Sequence, residues 1–386
     1  MRILCLNRFV PPDPAPTAKL VGELGQVLEQ KGWEVGWIGC RRNYREHRGR
    51  GWRRWVREAG AHGRMLWKGL FSQRPDVVLC LSDPPGLAFT AWLVARRWRA
   101  PLVHWAMDVY PEVAAAVGEV RSSSLACRLM HAAMRAAYAR CSLVVCLDDD
   151  MVEALGLRND PRTFVCPPWP PRDLIMEARC HSPVAPGEGR VRWLYSGNLG
   201  RAHDYATLLE AQKILETAGA PFDLVFQGGG AAREEAMQRA RELGLKHCGW
   251  ADYTAPSCLL DSLLQAHVLV ATQRPEVQGL VWPSKLAVMK MLPRAVAWVG
   301  PLNGAIARDL QSPGSLNGIF APGDAAGLAA WLRAHEASFR DSMAEPWMAE
   351  SLKKPWLEHV EGSAILWDHR LRDLTGGVHS HALQPA

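Results

Sequence analysis

Apolar runs alternate with amphipathic stretches along most of the chain, and this rhythm sets the fold class. Met1 to Asn7 reads as a buried strand after which a proline loop leads into a helix, from about Lys19 to Lys31, with Leu20, Leu24, Val27 and Leu28 on its inner face. Gly32 is placed to stop that helix, and Trp33 to Gly39 supplies a second strand. Val77 to Ser82 and Pro101 to Trp105 continue the series, followed by an alanine-rich helix from Ser124 to Ala139 and a strand over residues 142 to 147. Alternation of this kind predicts a doubly wound parallel sheet that binds ligands at the carboxyl ends of its strands.

The second half repeats the logic. Val191 to Tyr195 is a strand, Asp223 to Gly230 a strand ending in three glycines, and His267 to Ala271, AVAWVG and Gly318 to Ala321 complete a second set. Helices fall between them at Arg233 to Leu243 and Leu259 to Gln265, and the pattern from Ala325 onward is helical. Between the halves, residues 166 to 190 carry several prolines and no clear period, which marks a linker. The expected architecture is α/β, with two Rossmann-like domains flanking a cleft: residues 1 to 180, residues 181 to 345, and a helical extension from 346 to 386. A length of 386 residues, beyond the size at which one core stops growing, agrees with two domains.

Composition narrows the class. The ten cysteines are scattered without a CxxC pair, and Cys5, Cys80 and Cys146 fall inside apolar runs, which fits reduced thiols better than disulfides or a zinc site. No apolar run is long enough to span a membrane, and the N-terminus enters a strand pattern directly, so a cytoplasmic protein is expected. The net charge of +6 is unevenly placed: between Arg41 and Arg74 eleven Lys and Arg residues face two acids. Trp52, Trp55, Val56, Ala59, Leu66, Trp67 and Leu70 are interleaved with them at near-helical spacing. Arginine on one face and tryptophan on the other describes a helix that lies on an anionic membrane surface, with an ordinary solvated helix as the alternative. No nucleic-acid motif accompanies the patch.

Four stretches carry candidate chemistry. WLYSGNLGRAHDYATLL, from Trp193 to Leu209, reads as strand, glycine turn and helix; such a turn clears side chains from a ligand's path and aims helical N–H groups at an anion, with Arg201 and His203 as further donors. A purely structural corner is the other reading. Asp148 and Asp150 form a DxD, which suits a divalent ion or, before helix-like MVEAL, a helix start. His104, Asp108 and Glu112 follow a strand at four-residue intervals, and Pro111 excludes a single helical face through them. Pro283, Ser284 and Lys285 open a helix, so Ser284 is placed to cap and Lys285 to meet an anion. The glycine corner and the lysine-bearing helix start would together clamp a diphosphate.

These stretches carry a resemblance. MRILCLNRFVPPDPAPTAKLVGELGQVLEQKGWEV, the HWAMDVYPE element, YSGNLGRAHDYATLLEA, GLVWPSKL, GPLNGAIARDL and FAPGDAAGLAAWL resemble the family-4 retaining glycosyltransferases of GT-B fold that build bacterial polysaccharides and lipid-linked glycans, over about residues 1 to 335. The resemblance implies a nucleotide-sugar donor, a UDP-sugar, on the second half and a lipid-linked or glycan acceptor on the first, at the inner membrane face. It implies no metal and no cofactor. It brings Gly197, Asn198, Gly200, Gly228, Gln278, Gly279 and Ser284 to the donor, Arg201 and Lys285 to its diphosphate, and His104 with Asp108 to the reacting sugar. Gln278 stands where the family has a glutamate, and MLPRA where it has a glycine turn. These departures keep two alternatives open: a degenerate GT-B partner protein and a GT-B sugar-nucleotide epimerase.

Overall fold

A computed structural model describes residues 1–40, 52–180, 189–311, 314–344 and 356–376. The chain divides into two compact units, Met1–Pro168 with Leu357–Ala386, and Trp169–Trp356. In the first unit, β1 (Arg2–Leu6), α1 (Pro16–Gln30), β2 (Glu34–Ile38), α2 (Trp52–Leu70), β3 (Val77–Cys80) and α3 (Leu87–Trp98) come first. They are followed by β4 (Leu102–Trp105), α4 (Glu112–Ala116), α5 (Leu125–Tyr138), β5 (Leu143–Cys146), α6 (Asp149–Ala154) and β6 (Thr163–Val165). The second unit begins with α7 (Arg172–Cys180), β7 (Val191–Ser196), α8 (Ala206–Thr217), β8 (Phe222–Gln227), α9 (Arg233–Glu242), β9 (Cys248–Ala251) and α10 (Leu259–Leu264). It continues through β10 (Val268–Thr272), α11 (Lys285–Met291), β11 (Ala295–Val299), α12 (Ala305–Leu310), β12 (Gly318–Phe320), α13 (Ala325–Ala334) and α14 (Glu336–Ala344). A last helix, α15 (Trp356–Leu374), ends the described chain.

Each unit contains a six-stranded sheet, ordered β2-β1-β3-β4-β5-β6 in one and β12-β11-β10-β7-β8-β9 in the other. Every pairing is parallel. The strands are short and almost wholly buried, as in β3, β4, β5, β10 and β11, because helices cover both faces. Sequence order reverses between β1 and β3 in the first sheet and between β7 and β10 in the second. Doubly wound sheets open a ligand crevice at such a switch point, outside the carboxyl ends of the strands.

Two boundaries differ from the sequence expectation. The units part at Pro168 and Trp169, and the prolines of the expected linker run straight into α7, where buried Leu174, Ile175 and Ala178 sit at helical spacing. The separate C-terminal extension is not a layer of its own. From Leu357 the chain belongs to the first unit, where Trp367 is fully buried with its ring 5.0 Å from Trp105 and 5.4 Å from Phe164. Asp368 accepts from the Trp33 indole at 2.7 Å, and Arg372 donates to the Lys31 carbonyl at 2.8 Å. In sequence, Trp331, Trp347, Trp356 and Trp367 are spaced through a polar stretch that gives no clue to which unit each would join.

Candidate functional site

The carboxyl ends of β7 and β8 meet in a corner that only glycine can form. Gly197 and Gly228 adopt φ of 125° and 124°, and a Cβ on Gly228 would lie 2.3 Å from the Gly197 carbonyl oxygen. Gly230, at φ 137°, is as tightly held, since its Cβ would approach the Leu199 carbonyl oxygen to 2.2 Å. Hydrogen bonds from Gly197 to Gln227, Leu199 to Gly229 and Gly228 to Ala251 lock the two turns side by side. The Tyr195 hydroxyl donates to the Asn198 carbonyl at 3.0 Å, which fixes the first turn on its strand.

Lys285 reaches this corner from α11. A Cβ on Gly197 would lie 3.7 Å from its Nζ, and that Nζ stands 3.3 Å from the centre of the Tyr195 ring. The Nζ is buried and has no hydrogen-bond partner. Burial therefore pushes the lysine well below its ordinary pKa, with the tyrosine face as a partial substitute for a counter-ion. A buried amine without a hydrogen-bond partner, beside the Gly197–Gly228 corner, is an arrangement that a negatively charged ligand would complete.

The remaining expectations divide. Gly197, Gly228 and Lys285 come together as anticipated; Asn198 and Arg201 are exposed on the same turn, and Gly200 lies half-buried between them, its Cβ position 3.2 Å from Asn198 Nδ2. His203 is no donor to a diphosphate. Burial and the Lys285 charge lower its pKa to about 3, outweighing the hydrogen bond from Nδ1 to the Thr272 carbonyl at 2.7 Å, so the ring is neutral and that nitrogen is already engaged. Nor does a helix start directly above the glycines: α8 begins at Ala206, and Asp204 already accepts the N–H of Thr207 at 2.9 Å. Ser284 is exposed and makes no side-chain cap on α11. Gln278 closes the Pro275–Val277 turn and leads into Gly279 at φ 69°; buried Gln273 holds that loop through the carbonyls of Val277 and Val281.

In the first unit the structure separates the two residues that sequence spacing joined. His104 lies within β4, fully buried, with Nδ1 3.3 Å from Cys80 Sγ and its ring 5.3 Å from that of Tyr138. Burial lowers its pKa to about 4, so it is a neutral histidine, and its Nε2 is buried without a hydrogen-bond partner. Asp108 lies beyond the strand, at the sheet's carboxyl edge, half-buried, with a pKa raised to about 6 by burial and by the Asp83 carboxylate. The backbone N–H groups of Met107 and Asp108 both donate to Ser82 Oγ, which joins the β3 and β4 loops.

Beside it is a group that the sequence reading missed. Arg8, 5% exposed, pairs with Asp83 at 2.6 Å and with Glu58 of α2. Burial opposes its charge, and the two carboxylates outweigh that opposition and hold the guanidinium above its usual pKa. Asn7 and Arg8 follow β1, and Ser82 and Asp83 follow β3, so the cluster sits at the first sheet's switch point. A charged residue directly after an apolar strand was the available signal.

The DxD is a helix start: Asp148 Oδ1 accepts from the Met151 N–H at 2.8 Å. Among the described residues no cluster of His, Cys, Asp or Glu is placed to hold a metal. The basic segment contains α2 despite Gly60 and Gly63, while Arg41 to Arg50 lie outside the described residues. Its packed face is Ala61, Met65 and Gly69, and a Cβ on Gly69 would lie 2.5 Å from Val94 of α3. Val56 and Trp67 point outward at 59% and 66% exposure, joined by Phe71 just past the helix. No helix among the described residues is long and apolar enough to cross a membrane.

No protein-family model matches the chain. The probable glycosyltransferase WbjE of Pseudomonas aeruginosa is 26% identical over 235 residues, which cover 55% of this chain and 54% of that protein. The matched region thus spans about half of the relative's length. Among solved structures, sucrose-phosphate synthase from Thermosynechococcus elongatus superposes with a TM-score of 0.69 at 16% identity, over 98% of this chain and 99% of that one. HepE of Anabaena, solved in complex with UDP, gives 0.61 at 13% identity, over 98% and 100%. With two parallel six-stranded sheets, one in each unit, and likeness to these solved structures along nearly its full length, the chain has the GT-B fold of two Rossmann-like domains, and over about half its length it is similar to a probable bacterial glycosyltransferase.

Proposed function

We propose that this protein is a retaining glycosyltransferase that takes a sugar from a UDP-sugar, binds that donor on its second unit, and passes the sugar to a lipid-linked or glycan acceptor held on its first unit. The observation that carries the reading is the buried, unpartnered Nζ of Lys285 beside the Gly197–Gly228 corner. A diphosphate supplies the missing anion, and the glycines let it approach the backbone. As the bond from the anomeric carbon to the diphosphate oxygen breaks, negative charge grows on that oxygen. A fixed cation in a water-poor corner stabilises this charge more than the ground state. The acceptor oxygen bonds the anomeric carbon on the same face, and its proton leaves with the diphosphate. Asp108, at the first sheet's carboxyl edge, is the carboxylate we assign to the acceptor hydroxyl. The UDP complex of HepE and the similarity to WbjE support the class.

The outward Val56 and Trp67 among the arginines of α2 support docking on an anionic membrane, at its cytoplasmic face. Neither alternative gains from the MLPRA departure. Arg294 of that turn is buried and donates to the carbonyls of Leu264, Ala266 and Pro293, so the altered turn is a packed corner that the fold uses.

The test is turnover: purified protein with anionic vesicles, an acceptor-bearing membrane extract and a panel of sugar nucleotides, read as nucleoside diphosphate release and glycan product. Release and product from a UDP-sugar, both lost in Lys285→Met, support the reading. Conversion of the sugar nucleotide without acceptor would mean an epimerase, and nucleotide binding without turnover a degenerate partner.

A further inference from the structure

Helix α2 and the loops after β1, β3 and β4 converge on the first sheet's switch point, and one run of hydrogen bonds ties them to Asp108. The run starts on α2. Glu58 pairs with Arg8, and His62, one turn further along the helix, reaches the segment after β3: its Nε2 lies 3.0 Å from the Pro85 carbonyl oxygen and its Nδ1 2.7 Å from Thr90 Oγ1. A carbonyl only accepts, so Nε2 carries the proton and Nδ1 of the neutral ring accepts from the Thr90 hydroxyl; burial lowers the pKa and favours that neutral form.

Arg8 holds the same loop twice. Its Nε donates to Asp83 Oδ1 at 2.6 Å, and its backbone N–H donates to the Asp83 carbonyl at 2.7 Å. Ser82, the preceding residue, accepts the N–H groups of Met107 and Asp108 on its Oγ at 2.9 and 3.3 Å. The guanidinium fork thus bridges two carboxylates from different elements, a geometry that an ammonium on a flexible stem cannot copy. Among the charged groups around the switch point, Asp83 joins burial in raising the Asp108 pKa to about 6. Arg8 faces Asp83 and Glu58, His62 interacts with all three, and Glu112 of α4 is engaged with His131 at 2.7 Å. A carboxylate beside a like charge holds a proton more tightly and, once ionised, accepts a hydrogen bond more strongly.

We propose that Arg8 and Asp83 are positioning residues for sugar transfer: Arg8 clamps Asp83 in place, and the Asp83 carboxylate strengthens Asp108 as the partner of the acceptor hydroxyl. The pair's role rests on the assignment of Asp108 to that hydroxyl under the proposed function.

Two measurements on the full chain separate the pair from that assignment. Carbon-detected NMR with labelled aspartate carboxyls follows the Asp108 titration, assigned by the signal lost in Asp108→Asn, and steady-state kinetics follow transfer. Asp83→Asn should move the Asp108 titration down by about one pH unit, the effect of removing a neighbouring like charge. Transfer should follow, with its acid limb at lower pH and kcat severalfold lower, while the donor KM stays unchanged. Arg8→Lys keeps the buried positive charge and loses the fork. It should lower kcat when Asp83 is present and have no further effect in Asp83→Asn. An Asp108 titration unmoved by Asp83→Asn, or additive effects of the two substitutions on kcat, overturns the positioning roles. Transfer intact in Asp108→Asn, or absent from wild type, overturns the acceptor assignment whatever the titration shows, and the pair's role in transfer with it.

Discussion

The Nζ of Lys285 lies 3.3 Å from the centre of the Tyr195 ring and is buried without a hydrogen-bond partner. A buried amine with no hydrogen-bond partner destabilises the empty protein, so the same residue should act with opposite signs on stability and on binding. Lys285→Met should raise the melting temperature of the ligand-free protein by a few degrees. It should also weaken UDP about 10- to 100-fold, the loss of one charge-assisted hydrogen bond of about 1.5–3 kcal/mol. Because burial depresses the lysine pKa in the folded state, the unfolded chain binds the extra proton between that lowered value and the ordinary one. Wild type therefore gains stability relative to Lys285→Met as pH rises through this window. Thermal melts from pH 7 to pH 10 check the sign.

Gly228→Ala should damage the fold of the corner more than an average surface substitution. Its Cβ would overlap the Gly197 carbonyl oxygen at 2.3 Å, in a backbone region that L side chains rarely adopt. A cost of about 1–3 kcal/mol and loss of UDP binding are expected. Gly219→Ala, at φ 66° with nothing within 4 Å of its Cβ, carries the backbone strain alone and should leave UDP affinity intact. Chemical denaturation and UDP titration on both variants separate the two effects.

His104 and Asp108 should part company. His104→Ala opens a hole beside Tyr138 and Cys80 and should cost about 1–3 kcal/mol of stability, with UDP affinity unchanged. Asp108→Asn should keep both fold and UDP affinity and lose sugar transfer. The folded Asp108 carboxyl titrates at about 6 against 3.8 for the free group, so the folded state holds a proton that the unfolded chain has released. Wild type should lose stability as pH rises from 3.8 to about 6, and Asp108→Asn should lack that component.

Membrane docking by α2 predicts that Trp67→Ser with Phe71→Ser reduces sedimentation with anionic vesicles severalfold, since both side chains are more than 65% exposed. Arg64→Glu with Lys68→Glu should do the same and remove the salt dependence of what remains. Binding to neutral vesicles equal to that on anionic ones would contradict the electrostatic part.

Fold class and the succession of strands along the chain were legible because buried parallel strands write themselves as apolar runs, and the glycine turns after β7 and β8 were legible because close backbone approach leaves few residue choices. What failed depended on which way a side chain faces. Four-residue spacing put His104 and Asp108 in one group, but the strand ends at Trp105, which leaves the histidine in the core and the aspartate at the edge. The burial of the arginine of MLPRA and of the tryptophan of α15 was not legible, because their partners lie far off in sequence: Arg294 on Leu264, Trp367 on Trp105. The Arg8–Asp83–Glu58 cluster went unseen for the same reason.

The central claim is that the glycine corner and Lys285 hold a diphosphate, and calorimetric titration of UDP in buffers of different ionisation enthalpy addresses it most directly. A lysine whose pKa is depressed when empty and restored by an anion takes up a proton on binding. The account predicts saturable UDP binding to wild type with proton uptake near or above the lowered pKa, and the loss of both affinity and proton uptake in Lys285→Met. Equal UDP affinity in wild type and Lys285→Met, without proton uptake in either, would contradict it.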